Sequence, residues 1–542
     1  MKKITIALVL IFGLAFNSCE TLDLDDNDPV NLVTDEIDDL MRAIQLDFPS
    51  FIHDIQKEGS ELTRIEYLFG ETYEFYAQQE SERNVAWGIA YIDLLPKIEG
   101  VISIAEAEGY ANHLGVAKVL KAFTLLTLVD FYGDVPYSEI IESNPSVDEG
   151  AVIYAAALVI LEEAMDALAQ GTDQLKIDYY YNNDFQKWTK LANTLRMNAY
   201  LNTRLVDSEA LTNFNAIAST GNFISDSDDD FEFNYGNANM QHPKYLTDYT
   251  AGGARQYMSN WLMDKMLRHD DPRLRYYFYR QVDCTPGNVD SNGNYCEVSE
   301  PRLNCSIRTA PQHYISDMVF CNVAAGYWGR DHGNGEGIPP DSFRRTAMGV
   351  YPSAGKFDDD EFTGVSPDAG GMGAGVTPLM LASWVDFMQA EVAMLDGNEG
   401  AAQDYVILGT QKSIDKVMSF ISLDSGADAA YTPSPVDVSN YLTSVVSNFS
   451  NGNTDTKWNV LAEQQFISQY GNGINSYNTY RRTGFPNQIQ YHLTEDPGTF
   501  VRSLLYPIDV VNNNTNISQK PGAAIQVFWD INPMYPAFPA AN

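Results

Sequence analysis

The stretch Trp87–Gly133, WGIAYIDLLPKIEGVISIAEAEGYANHLGVAKVLKAFTLLTLVDFYG, decides the fold. Its apolar residues recur at helical spacing from Trp87 to Glu108 and again from Ala111 to Phe131. Gly109 separates the two runs and Gly133 ends the second, as residues that tolerate positive φ do at helix ends. The reading is a helical hairpin. Neither helix can bury its apolar face alone, so the hairpin requires neighbours of the same kind.

Those neighbours are present on both sides. Ala151 to Gln170 closes at Gly171, and Asp184 to Val206 repeats Trp188, Leu191, Leu195 and Ala199 on one face, with Asn182, Asn183 or Asp184 as cap. Thr377 to Leu395, stopped by Gly397, pairs with Ala401 to Ile421, and Val436 to Phe449 pairs with Thr456 to Tyr470. The expected fold is therefore mainly α: a tetratricopeptide-like scaffold of about four helical hairpins, with a plain helical bundle as the competing architecture because no residue-level repeat is visible. Residues 221–376 are different, rich in Gly, Asn, Asp, Pro and aromatics with one clear helix near Ser259 to Arg268. They are expected to form an irregular, loop-rich inserted subdomain, so that the scaffold occupies about 36–220 and 377–542 of a single body.

The N-terminus indicates where the chain works. Lys2 and Lys3 precede an apolar run from Ile4 to Phe16 and then Asn17-Ser18-Cys19. This reads as a signal peptide over 1–18 with Cys19 as the acceptor of a lipid anchor. The acidic segment that follows is expected to be a flexible leash, residues 19–35 in all. Removing Lys2 and Lys3 leaves 32 basic against 73 acidic residues, a charge of −41 with histidine neutral. Such a surface repels phosphate backbones, so nucleic acid is excluded as a partner. Beyond the signal no segment approaches the roughly 18 apolar residues of a membrane span, which leaves the anchor as the membrane contact.

Four further cysteines, Cys284, Cys296, Cys305 and Cys321, lie within one stretch of the insert. They form no CxxC pair and the chain carries an export signal, so two disulfides are expected in place of a zinc site, with the three possible pairings left open.

Two segments resemble a known family. Leu125 to Tyr137, LLTLVDFYGDVPY, and Tyr480-Arg481-Arg482-Thr483-Gly484-Phe485-Pro486, followed by Arg502 and Tyr506-Pro507, are similar to the helix end and the C-terminal signature of the SusD/RagB family, outer-membrane nutrient-binding lipoproteins of Bacteroidetes. Asp270-Asp271-Pro272-Arg273-Leu274 and the segment with Trp384, Phe387 and Glu391 add to the likeness. The resemblance implies four tetratricopeptide-like hairpins with an inserted subdomain, and a SusC-type TonB-dependent transporter as partner. It also implies a nutrient oligomer as ligand, an oligosaccharide or a peptide, taken up without catalysis at the cell surface. Arg481 and Arg482, next to a Gly-x-Pro turn, are expected to hold the fold through charge-assisted hydrogen bonds.

No HExxH, GxSxG, GxxxxGK[ST] or paired-glycine dinucleotide turn occurs, and the seven histidines are scattered, so neither a catalytic residue, a cofactor nor a metal is expected. A surface glycoside hydrolase is the enzymatic alternative, and a tetratricopeptide adaptor without a ligand pocket the structural one. The acidic clusters Asp226 to Asp230 and Asp358 to Glu361 and the turn Asp290 to Asn294 lack the glycine placement of a calcium loop and read as solvated loops. A sugar packs its apolar face on an aromatic ring and needs fixed polar partners for its hydroxyls, so candidate contacts are aromatics set among amides and charges. One such place holds Tyr76, Gln78, Asn84 and Trp87, with Phe75, Gln79 and Arg83 among them. The other is the glycine-flanked loop Tyr327-Trp328-Gly329-Arg330-Asp331, where Trp328 is expected to be exposed and to be the foremost ligand contact.

Overall fold

The computed structural model describes residues 29–70, 72–296, 304–336 and 341–533. The expected signal, Cys19 and the first part of the leash lie outside these residues. The chain is already helical from Pro29, in α1 (Pro29–Leu62), which corrects the leash expected to run to residue 35. Proline at the first helical position supplies the right φ and lacks only an N–H that would have no partner there. Ile37, Met41, Ile44, Phe48, Phe51, Ile52 and Ile55 form a buried stripe along α1, and the helix continues through Pro49. α2 (Tyr73–Arg83) follows, capped by the Thr72 hydroxyl and ended by Asn84 in a left-handed conformation.

The four hairpins are present. The first begins as Val85–Gly88, passes through a π-helical turn, Ile89–Leu94, and continues as α3 (Leu95–Glu108) into α4 (Ala111–Tyr132). α5 (Gly150–Gln170) and α6 (Phe185–Thr203) form the second, with Asp184 accepting the Gln186 and Lys187 amides as the N-cap. A Cβ on Gly115 would lie 2.5 Å from Leu168, so glycine is what lets α4 and α5 approach closely. α7 (Ala210–Ala218) closes this half against α6.

The insert is built on short strands. β1 (Phe231–Asn234) pairs antiparallel with β4 (Val376–Met380). Between them lie the helix α8 (Asn260–Arg268) and a second small sheet of β2 (Phe278–Tyr279) and β3 (Ala347–Met348). The helix expected from Thr377 instead starts at Ala382, because the residue before Pro378 is biased toward extended backbone and the segment is buried throughout. The cysteines pair locally as Cys284–Cys296 and Cys305–Cys321. Ion pairs take up part of each acidic cluster, Asp229 with Lys190, Asp230 with Lys416 and Asp358 with Arg280, while Asp226 and Asp228 are exposed.

α9 (Ala382–Leu395) and α10 (Glu399–Ser419) form the third hairpin, α11 (Pro435–Asn451) and α12 (Thr454–Ser468) the fourth, and α13 (Ile474–Thr483) leads back to the first half. Here Arg481 and Arg482 hold the fold. Arg482 donates to both Glu391 oxygens at 2.8 and 2.6 Å, joining α13 to α9. Arg481 donates to the carbonyls of Arg502 at 2.7 Å and Asp130 at 2.8 Å and lies over the Tyr477 ring. The Asp130 carboxylate accepts from Asn478 and Trp529, so both segments that carry the family resemblance meet in one buried network.

Candidate functional site

A cleft of about 320 Å³ opens where α1 and α2 face the insert. α1 contributes His53, Lys57 and Glu61; α2 contributes Tyr76, Gln79, Glu80 and Arg83; the insert contributes Lys244, Arg255, Gln256, Tyr257 and Glu336. The segment joining α1 to α2 adds Tyr67 and Phe69, the latter 46% exposed. The Tyr67 and Tyr257 rings meet edge to face at 6.0 Å. Tyr257 is held firmly: its hydroxyl donates to Asp341 at 2.8 Å, and the guanidiniums of Arg345 and Arg330 stack on its ring at 4.0 and 4.4 Å. The Tyr67 hydroxyl donates to the Asn334 carbonyl. The cleft thus offers rigid half-buried rings and an exposed one, with amides beside them.

All of its lining charges but Arg255 lie in opposed pairs, the partner of Glu336 being Arg308 from outside the lining. Lys57 lies 3.4 Å from Glu61, Arg83 2.7 Å from Glu80, Lys244 contacts Glu66, and Arg308 reaches Glu336 at 3.1 Å. The cleft therefore presents donors and acceptors with little net charge, in a molecule whose overall charge is −39. Carboxylate oxygens of Glu58, Glu61 and Glu80 gather within 4.8 Å of one another, and Glu58 accepts the Tyr76 hydroxyl. Burial, reinforced by Glu80, pushes the Glu58 carboxyl well above its ordinary value of 4.5, and burial also raises Glu61 against the pull of Lys57. Lys57 is raised in turn, chiefly by Glu61. These three carboxyls are the group among the described residues with oxygens for a hard cation. Lys57 and Arg83 already pair with Glu61 and Glu80, and Glu58 is engaged by the Tyr76 hydroxyl. Burial, then Lys244 and Lys57, lowers His53 to about 3, so its imidazole is neutral.

The sequence-predicted residues divide. Tyr76 is in the cleft floor, 3% exposed, and Gln79 and Arg83 line the walls, as the aromatic and amide pattern of this segment suggested. Gln78 is exposed on α2 outside the cleft lining, and Asn84 lines a neighbouring smaller cavity. Trp87 is core, packed on Tyr91 and Tyr132.

The expected exposure of Trp328 is overturned. It is 1% exposed, packs on the Cys305–Cys321 disulfide and donates its indole N–H to Asp341 at 3.2 Å. Tyr327, Arg330 and Asp331 are likewise buried; Asp331 accepts from Asn260, Gln490 and the Cys321 amide. The polarity of this loop reflects hydrogen bonds inside the protein, and Gly329 lets its backbone approach Met258 so closely that a Cβ would lie 2.4 Å from the Met258 carbonyl oxygen. The loop forms a layer behind the cleft: Arg330 and Asn334 hold the rings of Tyr257 and Tyr67. Tyr67, Phe69 and Tyr257 were missed, although Tyr67-Leu68-Phe69-Gly70 carries an aromatic pair before a glycine.

Family models match this architecture in two parts: one described as SusD-like, starch-binding associating with outer membrane, over residues 25–315, and one described as SusD and RagB outer membrane lipoprotein over residues 361–526. No curated protein matches the chain. Among solved structures, one described as a chitin-binding protein superposes with a TM-score of 0.65 at 19% identity, covering 90% of this chain and 100% of its own. A chitin-binding SusD homolog from Flavobacterium johnsoniae gives 0.61 at 17% identity, over 93% and 99%. A SusD homolog from Bacteroides vulgatus gives 0.59 at 17%, over 91% and 97%.

Proposed function

This chain belongs to the SusD-like family of outer-membrane lipoproteins, and from that premise we propose that it captures a neutral oligosaccharide in the cleft between α1, α2 and the insert and delivers it to a SusC-type TonB-dependent transporter. The observation that carries the reading is the cleft itself: Phe69, Tyr67 and Tyr257 beside Gln79 and Gln256, with most of its acids and bases in opposed pairs. Aromatic faces take the apolar side of a sugar ring, and the paired charges offer fixed hydrogen-bond partners without selecting for ligand charge. The chitin-binding solved structures of like fold support a glycan as ligand. A lipid on Cys19 would keep the protein at the outer face of the membrane, next to its transporter. Glu61 and Glu80 are ion-paired with Lys57 and Arg83, which supports binding without hydrolysis.

The test is calorimetric titration of residues 20–542 with neutral and acidic oligosaccharides and with peptides, repeated for Tyr257→Phe and Phe69→Ala. Saturable binding of a neutral sugar recovered intact, weakened by Phe69→Ala and little changed by Tyr257→Phe, is the expected result. Binding of peptides alone would replace the ligand class, and cleavage of the sugar would make the protein a hydrolase.

A further inference from the structure

A second, smaller cavity of about 70 Å³ adjoins the cleft, and Lys57, Glu80 and Arg83 form a wall common to both. By the share of volume a water molecule takes in the liquid, about 30 Å³, it has room for roughly two or three non-hydrogen atoms, the size of an acetyl group whose nitrogen stays at the mouth. Its lining is divided in kind. Val85, Leu504 and Leu505 supply an apolar side, while Asp54, Asn84 and Tyr132 bring polar atoms to the same space. None of those polar groups is fully satisfied by the protein. The Tyr132 hydroxyl, on a residue only 6% exposed, has no hydrogen-bond partner among the described residues, nor has the Asp54 carboxylate; Asn84 uses its amide N–H on Asp509 at 3.3 Å and leaves its side-chain carbonyl open. The Tyr132 hydroxyl and the Asp54 carboxylate are thus open to a guest in the cavity.

Resting on the glycan reading of the adjoining cleft, we propose that this cavity is a subsite for the acetamido group of an N-acetylated amino sugar at the Arg83 end of the cleft. The group fits the lining term by term. Its carbonyl takes the Tyr132 hydroxyl, its N–H is taken by Asp54 or the Asn84 carbonyl, and its methyl packs on Leu504, Leu505 and Val85. A bare hydroxyl at the same ring position satisfies one polar partner and leaves the apolar side empty, so the cavity discriminates by substituent and the cleft by ring.

The experiment titrates the mature protein with N,N′,N″,N‴-tetraacetylchitotetraose and with cellotetraose, which shares the β-1,4 glucan backbone and has hydroxyls in place of acetamido groups. Tyr132→Phe keeps the ring and removes the hydroxyl; Asn84→Gly keeps the left-handed helix end and removes the side chain. The wild type is expected to prefer the acetylated sugar, and each variant to lose roughly threefold to tenfold in affinity for it while leaving cellotetraose binding unchanged. Equal affinity for the two sugars, or variants that weaken both alike, overturns the subsite and leaves the glycan reading standing. Failure of either sugar to bind, with peptides bound instead, overturns both.

Discussion

Two clusters of charge, one buried and one partly open to solvent, are made from the same residue types and are arranged for different ends. In the network around α13, Arg482 and Arg204 face Glu391, Arg502 faces Asp530, and Arg481 spends its hydrogen bonds on carbonyls between helices that are distant in sequence. In the cleft wall, Glu58, Glu61 and Glu80 share Lys57 and Arg83, one cation short of balance, and the cluster borders two cavities. The contrast shows in their protonation. Burial pushes the Glu391 carboxyl up, but Arg482 and Arg204 outweigh it and hold it below the ordinary range, whereas Glu58 stays well above it. A saturated network ties elements together; an acid-rich wall left adjustable by a proton suits a surface that must accept a guest.

The comparison can be broken most severely at Arg482. Arg482→Ala leaves Glu391 with Arg204 alone and should cost about 3–5 kcal/mol in denaturant unfolding, with acid sensitivity altered in a set direction. A carboxyl depressed in the folded state stabilises above its unfolded pKa and loses that contribution as pH falls through the folded value, so the network weakens in acid. A cost below about 1 kcal/mol would remove the structural role.

Trp328→Ala should cost about 3 kcal/mol or more through the void left on the Cys305–Cys321 disulfide. Its effect on binding should come through displacement of Tyr257, and Trp328→Phe should restore much of both. Were stability unchanged and binding abolished, Trp328 would be a contact after all.

On the cleft side, Phe69→Ala should raise Kd five- to thirtyfold, about 1–2 kcal/mol, while stability moves by no more than about 0.5 kcal/mol. Calorimetry and thermal melting on the same preparation separate the two.

The smallest effect is on pH dependence. A carboxyl whose folded pKa is raised binds its proton in the folded state, so Glu58 contributes fully below its ordinary 4.5 and loses that contribution as pH rises through the folded value. Glu58→Gln should therefore flatten the decline of stability above pH 4.5 by less than about 1.4 kcal/mol per pH unit. A steeper decline would show that the proton is held elsewhere in the cluster.

Much of this was legible in the chain itself. The helical hairpins, the irregular insert, the role of Arg481 and Arg482 and the importance of the segment around Tyr76 follow from local pattern or family likeness. α1 was not singled out, because acidic residues and Pro49 mask its stripe, and Thr377–Met380 reads as helix until β1 is available to pair with it. The site was legible to within one layer. Tyr327 to Asp331 has the composition of a binding loop, but its polar groups find partners on Asn260, Gln490 and Asp341, which lie far off in sequence or on another turn of the insert.

By itself the sequence determined the helical class, the pairing of neighbouring helices, the family and the expected lipid attachment, since each depends on periodicity or short motifs read within tens of residues. Only the tertiary structure decided which aromatics face solvent, which cysteines join, and that α1, α2 and the insert enclose a cleft with a smaller cavity beside it. Exposure and hydrogen-bond satisfaction depend on what the rest of the chain brings alongside, and in this protein the deciding partners lie up to several hundred residues apart.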